Sequence, residues 1–197
     1  MTPSADRAAS AAGVRSARTS VNTWIALFRG INVGGSNVLP MKDLAALIEV
    51  LGGTQVKTYI QSGNVVFGGG GSDAAILSKR IEAAILRSHG FTPRVMLLTQ
   101  GELDGATIAN PFPEAESEPK TLHIAFLAER PTQPDLAGLN ALKRDGEAYA
   151  LDGKLFYLHT PGGFGQSKLA GRYEKLLGVT ATARNWNTVM KLREMST

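Results

Sequence analysis

The 197-residue chain contains no cysteine. That removes disulfides, thiolate nucleophiles and thiolate metal sites together, and permits a reducing compartment. Long apolar runs are also missing. None approaches the roughly 18 residues of a spanning helix, so no membrane insertion and a cytoplasmic location are expected. Residues 1–22 lack the apolar core of roughly 7–15 residues that a secretory signal needs, and their Ala, Ser and Arg content predicts a disordered tail. Histidine is scarce: His89, His123 and His159 are far apart, and none lies at ligand spacing from another metal-binding type. No H-E-x-x-H, G-x-S-x-G, G-x-x-x-x-G-K-[ST] or G-x-G-x-x-G string occurs. The sequence therefore nominates no cofactor and no metal.

What remains is a globular composition, 43% hydrophobic and 19% charged, long enough for one domain or two small ones. The net charge of +4 is unevenly placed. Residues 23–165 carry twelve basic against fourteen acidic side chains, whereas residues 166–197 carry six against two. An anionic partner would accordingly be met at a localised C-terminal site rather than by the whole surface.

Hydrophobic periodicity supplies the element order. Thr23 to Phe28 reads as a strand buried on both faces, and Arg29 closes it ahead of a glycine-rich loop. Leu44, Leu47, Ile48 and Leu51 give the apolar face of a helix ended by Gly52. Val56–Ile60 and Asn64–Phe67 flank a turn at Gln61-Ser62-Gly63, and Gly68 to Gly71 reads as a flexible connection. Ser72 is the expected cap of a helix with Leu77, Ile81, Ala84 and Ile85 inward, stopped by Gly90. A strand over 94–98 and a Thr99/Glu102 capping box follow. The order β-α-β-β-α-β over 23–112 predicts an α+β, ferredoxin-like subdomain, an antiparallel sheet with helices on one face.

Residues 113–119, with prolines and Glu114, Glu116 and Glu118, read as an exposed acidic linker. Residues 120–197 repeat the plan as β-α-β-β-α. Asp152-Gly153 provides the hairpin turn, and both positions are expected at positive φ. This second ferredoxin-like copy is expected to lack its last strand and to end in an extra helix from about Arg184.

Four polar stretches, three of them glycine-bearing, carry the candidate chemistry. At the end of a buried strand, Arg29 needs a counter-charge, either a protein carboxylate or a bound anion, and Asn32 follows it in the glycine loop. Gln61, Ser62 and Asn64 gather amides and a hydroxyl at one turn, where they could orient a ligand or stabilise the turn itself. Ser167 and Lys168 open a helix after a Gly-rich loop, an arrangement that suits an anion or an ordinary cap. Arg184 and Asn185 stand beside Trp186, a set compatible with nucleotide stacking or with core packing.

Several of these strings together resemble a known family. They are Phe28-Arg29-Gly30-Ile31-Asn32-Val33-Gly34-Gly35, Thr58 to Phe67, Asn110-Pro111-Phe112, Ser167-Lys168-Leu169 and Ala181 to Val189. The resemblance is to domain-of-unknown-function family sixteen-ninety-seven, small and mostly bacterial uncharacterised proteins. It implies an α+β fold with ferredoxin-like subdomains and supplies no activity and no catalytic residues.

Three functions are weighed on this basis. The first is binding of a phosphate-bearing small molecule or nucleic-acid segment in a cleft between the halves, at Arg29, Asn32, Gln61, Ser62, Asn64, Ser167, Lys168, Arg184 and Asn185. The second is a structural protein that homodimerises through sheet edges. The third is a small enzyme using Ser62 or Lys168, for which the sequence offers no general base.

Overall fold

The computed structural model describes residues 22–197. Apart from Asn22, the expected tail lies outside them. Eight strands and six α-helices follow in two series. The first is β1 (Thr23–Arg29), α1 (Met41–Val50), β2 (Gly53–Tyr59), β3 (Asn64–Gly69), α2 (Ala74–His89) and β4 (Arg94–Thr99). Helix α3 (Gln100–Ile108) and a 3-10 turn at Pro113–Ser117 lead to the second. It comprises β5 (Leu122–Leu127), α4 (Leu136–Leu142), β6 (Ala148–Asp152), β7 (Leu155–His159), α5 (Lys168–Leu177) and β8 (Ala181–Asn185), and α6 (Trp186–Ser196) closes the chain.

Each series makes one four-stranded antiparallel sheet, ordered β2-β3-β1-β4 and β6-β7-β5-β8. The central strands are apolar at nearly every position because both of their faces are covered. Trp24, Ala26 and Phe28 of β1 point to a core made with α1 and α2, whereas Ile25 and Leu27 point the other way. In β5, Ala125 and Leu127 meet α4 and α5, while Leu122, Ile124 and Phe126 face inward. The inward faces of both sheets share one central core with Leu103 and Ala106 of α3 and with Trp186, Val189 and Leu192 of α6. The two helices of each series, α1 and α2 or α4 and α5, lie on one face of their sheet, and α3 and α6 join the shared core on the other.

Several local expectations change. The second series does possess its last strand. Ala181–Asn185 pairs antiparallel with β5, Ala183 opposite Ala125, and α6 begins at Trp186 rather than Arg184. Its five residues alternate small and polar side chains, which hides a strand from hydrophobic pattern. At the β6–β7 hairpin, Asp152 pairs with Leu155, so Gly153 and Lys154 form the turn and Gly153 takes the positive φ, 57°. Asp73, not Ser72, caps α2, accepting from the Ile76 amide at 2.9 Å. Gly68 and Gly69 belong to β3, opposite Thr54 and Gly53. The acidic connector is mostly exposed, yet Ala115 is buried in the shared core and ties it to the body.

Candidate functional site

A cleft of about 290 Å³ opens where the two series meet at the end of β1. One wall is the end of β1, the following loop and the β2–β3 turn. The other is Phe164, α5 and the first residues of β8. Arg29, Ser62, Tyr173, Glu174 and Arg184 bring the polar groups.

The first wall is held by backbone conformations that few residues tolerate. Asn32 has a φ of 54° and Asn37 of 52°, and Gly30, Gly34 and Gly35 are also at positive φ. Asn and Gly are the types that adopt this geometry readily, which explains the composition of the loop. Asn32 then acts as a clamp. Its Nδ2 donates to the Leu39 and Gln61 carbonyls at 2.9 Å each, and its Oδ1 accepts from the Leu39 amide at 2.8 Å. Ile60 sits at φ 48°, a β-branched residue in the left-handed region and thus strained. Gly63 has φ 77° and no room for a side chain, since a Cβ would lie 2.6 Å from Phe28 and Ile31 atoms.

Across the cleft, Arg29 forms an ion pair with Glu174 and donates to the Ala181 carbonyl at 3.0 Å. Glu174 also accepts from the Ala181 amide at 2.9 Å. The hydrogen bond to Glu174 raises the Arg29 pKa, opposed by partial burial. The strand-end arginine thus has an internal carboxylate as its counter-charge.

Arg184 reaches from β8 into the first series. Its Nε donates to Asn64 Oδ1 at 2.5 Å, and its terminal nitrogens donate to the Ala183, Phe28, Gly63 and Ser62 carbonyls at 2.7–3.3 Å. Asn64 is fully buried, and its Nδ2 donates to the Tyr59 carbonyl and to Ser62 Oγ. All of these acceptors are neutral. Burial accordingly lowers the Arg184 pKa to about 10, with neighbouring Tyr173 a smaller opposing influence. Burial also pushes the Tyr173 phenol up to about 12, with Glu174 reinforcing it, so the phenol stays neutral. Two guanidiniums face one carboxylate, and the cleft retains one positive charge.

Of the nine sequence-nominated residues, Arg29, Ser62 and Arg184 line the cleft and Asn64 stands directly behind Arg184. Asn32 and Gln61 shape the loop and turn that form its wall. Ser167 is buried and caps α5, accepting from the Ala170 amide at 3.0 Å, while Lys168 is exposed on the first turn. Asn185 caps α6 by accepting from the Thr188 amide. Ser62 Oγ bonds only to Asn64, and among the described residues no His, Asp or Glu hydrogen-bonds to Ser62 or Lys168.

The C-terminal cations disperse as well. Arg193 pairs with Asp104 at 2.7 Å, Lys191 with Glu194 at 2.8 Å, and Arg184 is internal. Glu174, Tyr173 and Phe164 also line the cleft, although none stands in a motif that nominates it. Glu174 is the single acidic residue of α5 and stands beside Tyr173, a pattern that could have marked it.

Among the described residues, no helix is long and apolar enough to cross a membrane. No curated protein matches the chain. The solved structure of a conserved bacterial protein from Streptococcus pneumoniae has a similar fold, with a TM-score of 0.66 at 22% identity. The likeness covers 90% of this chain and 100% of that one. The sequence match reaches further than fold: the model of the family described as protein of unknown function (DUF1697) spans residues 21–157, including the whole first wall of the cleft, and the chain belongs to that family.

Proposed function

We propose that the protein binds a small phosphate-bearing molecule in the cleft between its two series. The observation that carries this reading is Arg184, a partly buried guanidinium at the cleft whose hydrogen-bond acceptors are all neutral. Buried charge without a counter-ion attracts an anion, and Arg29 at the rim adds a second guanidinium that can exchange Glu174 for a ligand oxygen. Ser62 lines the same cleft and carries a hydroxyl. Strained or left-handed backbone at Asn32, Asn37 and Ile60 supports the same location, because such strain gathers at ligand sites.

Within this reading the series over 23–112 and 120–197 are two ferredoxin-like subdomains joined by the 113–119 linker, supported by the matching sheet orders. The ligand is a cytoplasmic metabolite rather than nucleic acid, because the sheet faces that could stack bases are occupied by the shared core. Gln61, Asn32, Ser167, Lys168 and Asn185 serve as frame, not contact. Thermal unfolding against a panel of nucleotides and sugar phosphates tests the proposal. At a hundredfold excess over Kd, a binder adds about 2.7 kcal/mol, which raises Tm by about 5–10 °C. Arg29→Ala should remove that rise, and a panel that shifts nothing refutes the site.

A second reading rests on the same arginine. Its bonds to Phe28, Ser62, Gly63 and Asn64 fasten the two series together, so the cleft chemistry is also that of a structural clasp. Homodimerisation through the unpaired edges of β2 or β6 would extend the structural role. A molecular mass measured in solution decides that point.

A further inference from the structure

A second cavity, of about 330 Å³, lies where α3 and β4 face the end of β5 and the β6–β7 turn. Its walls are apolar, with Met96, Leu98, Ala106, Phe126 and Leu155 prominent. Two charged residues are among those lining it, Glu102 and Lys154. One oxygen of the Glu102 carboxylate, Oε2, accepts from the Thr99 amide at 2.7 Å and the Thr99 hydroxyl at 2.9 Å in the cap of α3. Its charge is further offset by the helix N-terminus on which it sits. The Lys154 ammonium has no hydrogen-bond or ion-pair partner among the described residues, and it stands on an exposed hairpin turn. The cavity thus has a largely apolar lining that includes one lysine without an ion-pair partner among the described residues.

Gly105 of α3 also lines the space. It lines the cavity in the interior of a helix, without positive φ, and a Cβ built on it meets no atom within 4 Å. Neither backbone conformation nor close packing requires glycine there. Alanine would favour the helix by roughly 0.5–1 kcal/mol. Gly105 is exposed, and a Cβ added there meets open space.

We propose that this cavity binds a small hydrophobic monocarboxylic acid, its apolar body against Phe126, Leu155 and α3 and its carboxylate at the Lys154 ammonium. An apolar lining with one or two placed polar groups is the usual form of a small-molecule site, and the volume is near the lower end of the roughly 300–1,000 Å³ such sites occupy. A phosphate ester is unsuited to these walls, because its two charges would be desolvated against a single cation. The proposal is independent of the Arg29–Arg184 cleft, which shares no lining residue with it.

Calorimetric titration of the full chain with octanoate and with octanol tests it. Octanoate should bind, and the neutral alcohol should bind about fivefold more weakly, the measure of a partly exposed ion pair. Lys154→Met should abolish the preference for the acid while leaving octanol binding intact. Gly105→Leu should eliminate binding of both, with circular dichroism reporting whether it folds. Gly105→Ala, which should fold with undiminished thermal stability, should weaken octanoate at least severalfold. Arg29→Ala should leave octanoate affinity unchanged. No heat of binding with octanoate at millimolar concentration, equal affinity for acid and alcohol, or undiminished binding by a folded Gly105→Leu would each overturn the assignment.

Discussion

Arg184 places a guanidinium where its solvent is replaced by four backbone carbonyls and one amide oxygen. Removing it strands those buried acceptors, each of which costs about 1–3 kcal/mol when left unsatisfied. Some will recover water at the cleft, so Arg184→Met should destabilise the protein by roughly 2–4 kcal/mol in urea unfolding. A loss below about 1 kcal/mol would show that the clasp holds little. Gly63 is the complementary case, since the limit there is space rather than charge. Gly63→Ala must tolerate both φ 77° and contacts of 2.6 Å, and it should lose roughly 2–4 kcal/mol by the same measurement. At this scale the sequence was informative about which residues were unusual and silent about how they were satisfied. Arg29, Ser62 and Arg184 meet although more than a hundred positions separate the outer two, and Glu174, the partner of Arg29, could be paired with it only through the fold. Ser167 and Asn185 carry the residue types of an anion site, and cap geometry accounts for their bonds.

Among the elements, β5 contains a titratable group in an otherwise apolar strand. His123 is buried, stacks on Phe164 with ring centroids 4.1 Å apart, and has an Nδ1 without a hydrogen-bond partner. Burial lowers its pKa from 6.5 to about 4, against a smaller opposing effect of the Thr121 backbone. At pH 7 the ring is neutral in both folded and unfolded chains. Below pH 6.5 the unfolded chain takes up a proton that the folded chain refuses until about pH 4, so stability falls across that window. By pH 5 the loss should reach about 2 kcal/mol relative to pH 7. Urea unfolding of wild type and His123→Leu at both pH values checks this, and an equal acid loss in the two proteins would exclude His123 as its source. Elements with strong periodicity or caps were legible in sequence. The inward face of α2, the Thr99/Glu102 capping box and the buried β1 are examples. Strand β8 was not, because its role comes from pairing with β5, and Ala-Thr-Ala-Arg-Asn carries too little apolar contrast to announce it. The coverage of both sheet faces was hidden for a related reason, since periodicity records that a strand is buried and not what buries it.

For the whole molecule, the decisive feature is that the two sheets contribute to one central core together with α3 and α6. Leu27 of the first series and Phe126 of the second belong to the same cluster, so neither series can open without exposing the other. Urea unfolding followed by tryptophan fluorescence and by far-UV circular dichroism should therefore give one coincident transition, Trp24 and Trp186 reporting from different cores. Separated midpoints would mean that the series unfold independently. The net charge has less bearing on the molecule than its value suggests. The C-terminal excess is spent on Asp104, Glu194 and the internal carbonyls around Arg184, leaving Lys168, Arg172 and Lys175 of α5 as its exposed part.

Two sheets that share one core across a short connector amount to a heterodimer whose partners are supplied in one chain. The peptide bonds of residues 113–119 set the effective concentration of each half at the other, a quantity of millimolar order for short tethers. Cutting that connector would leave every contact of the shared core in place and make its persistence obey mass action, with a folded fraction that declines on dilution.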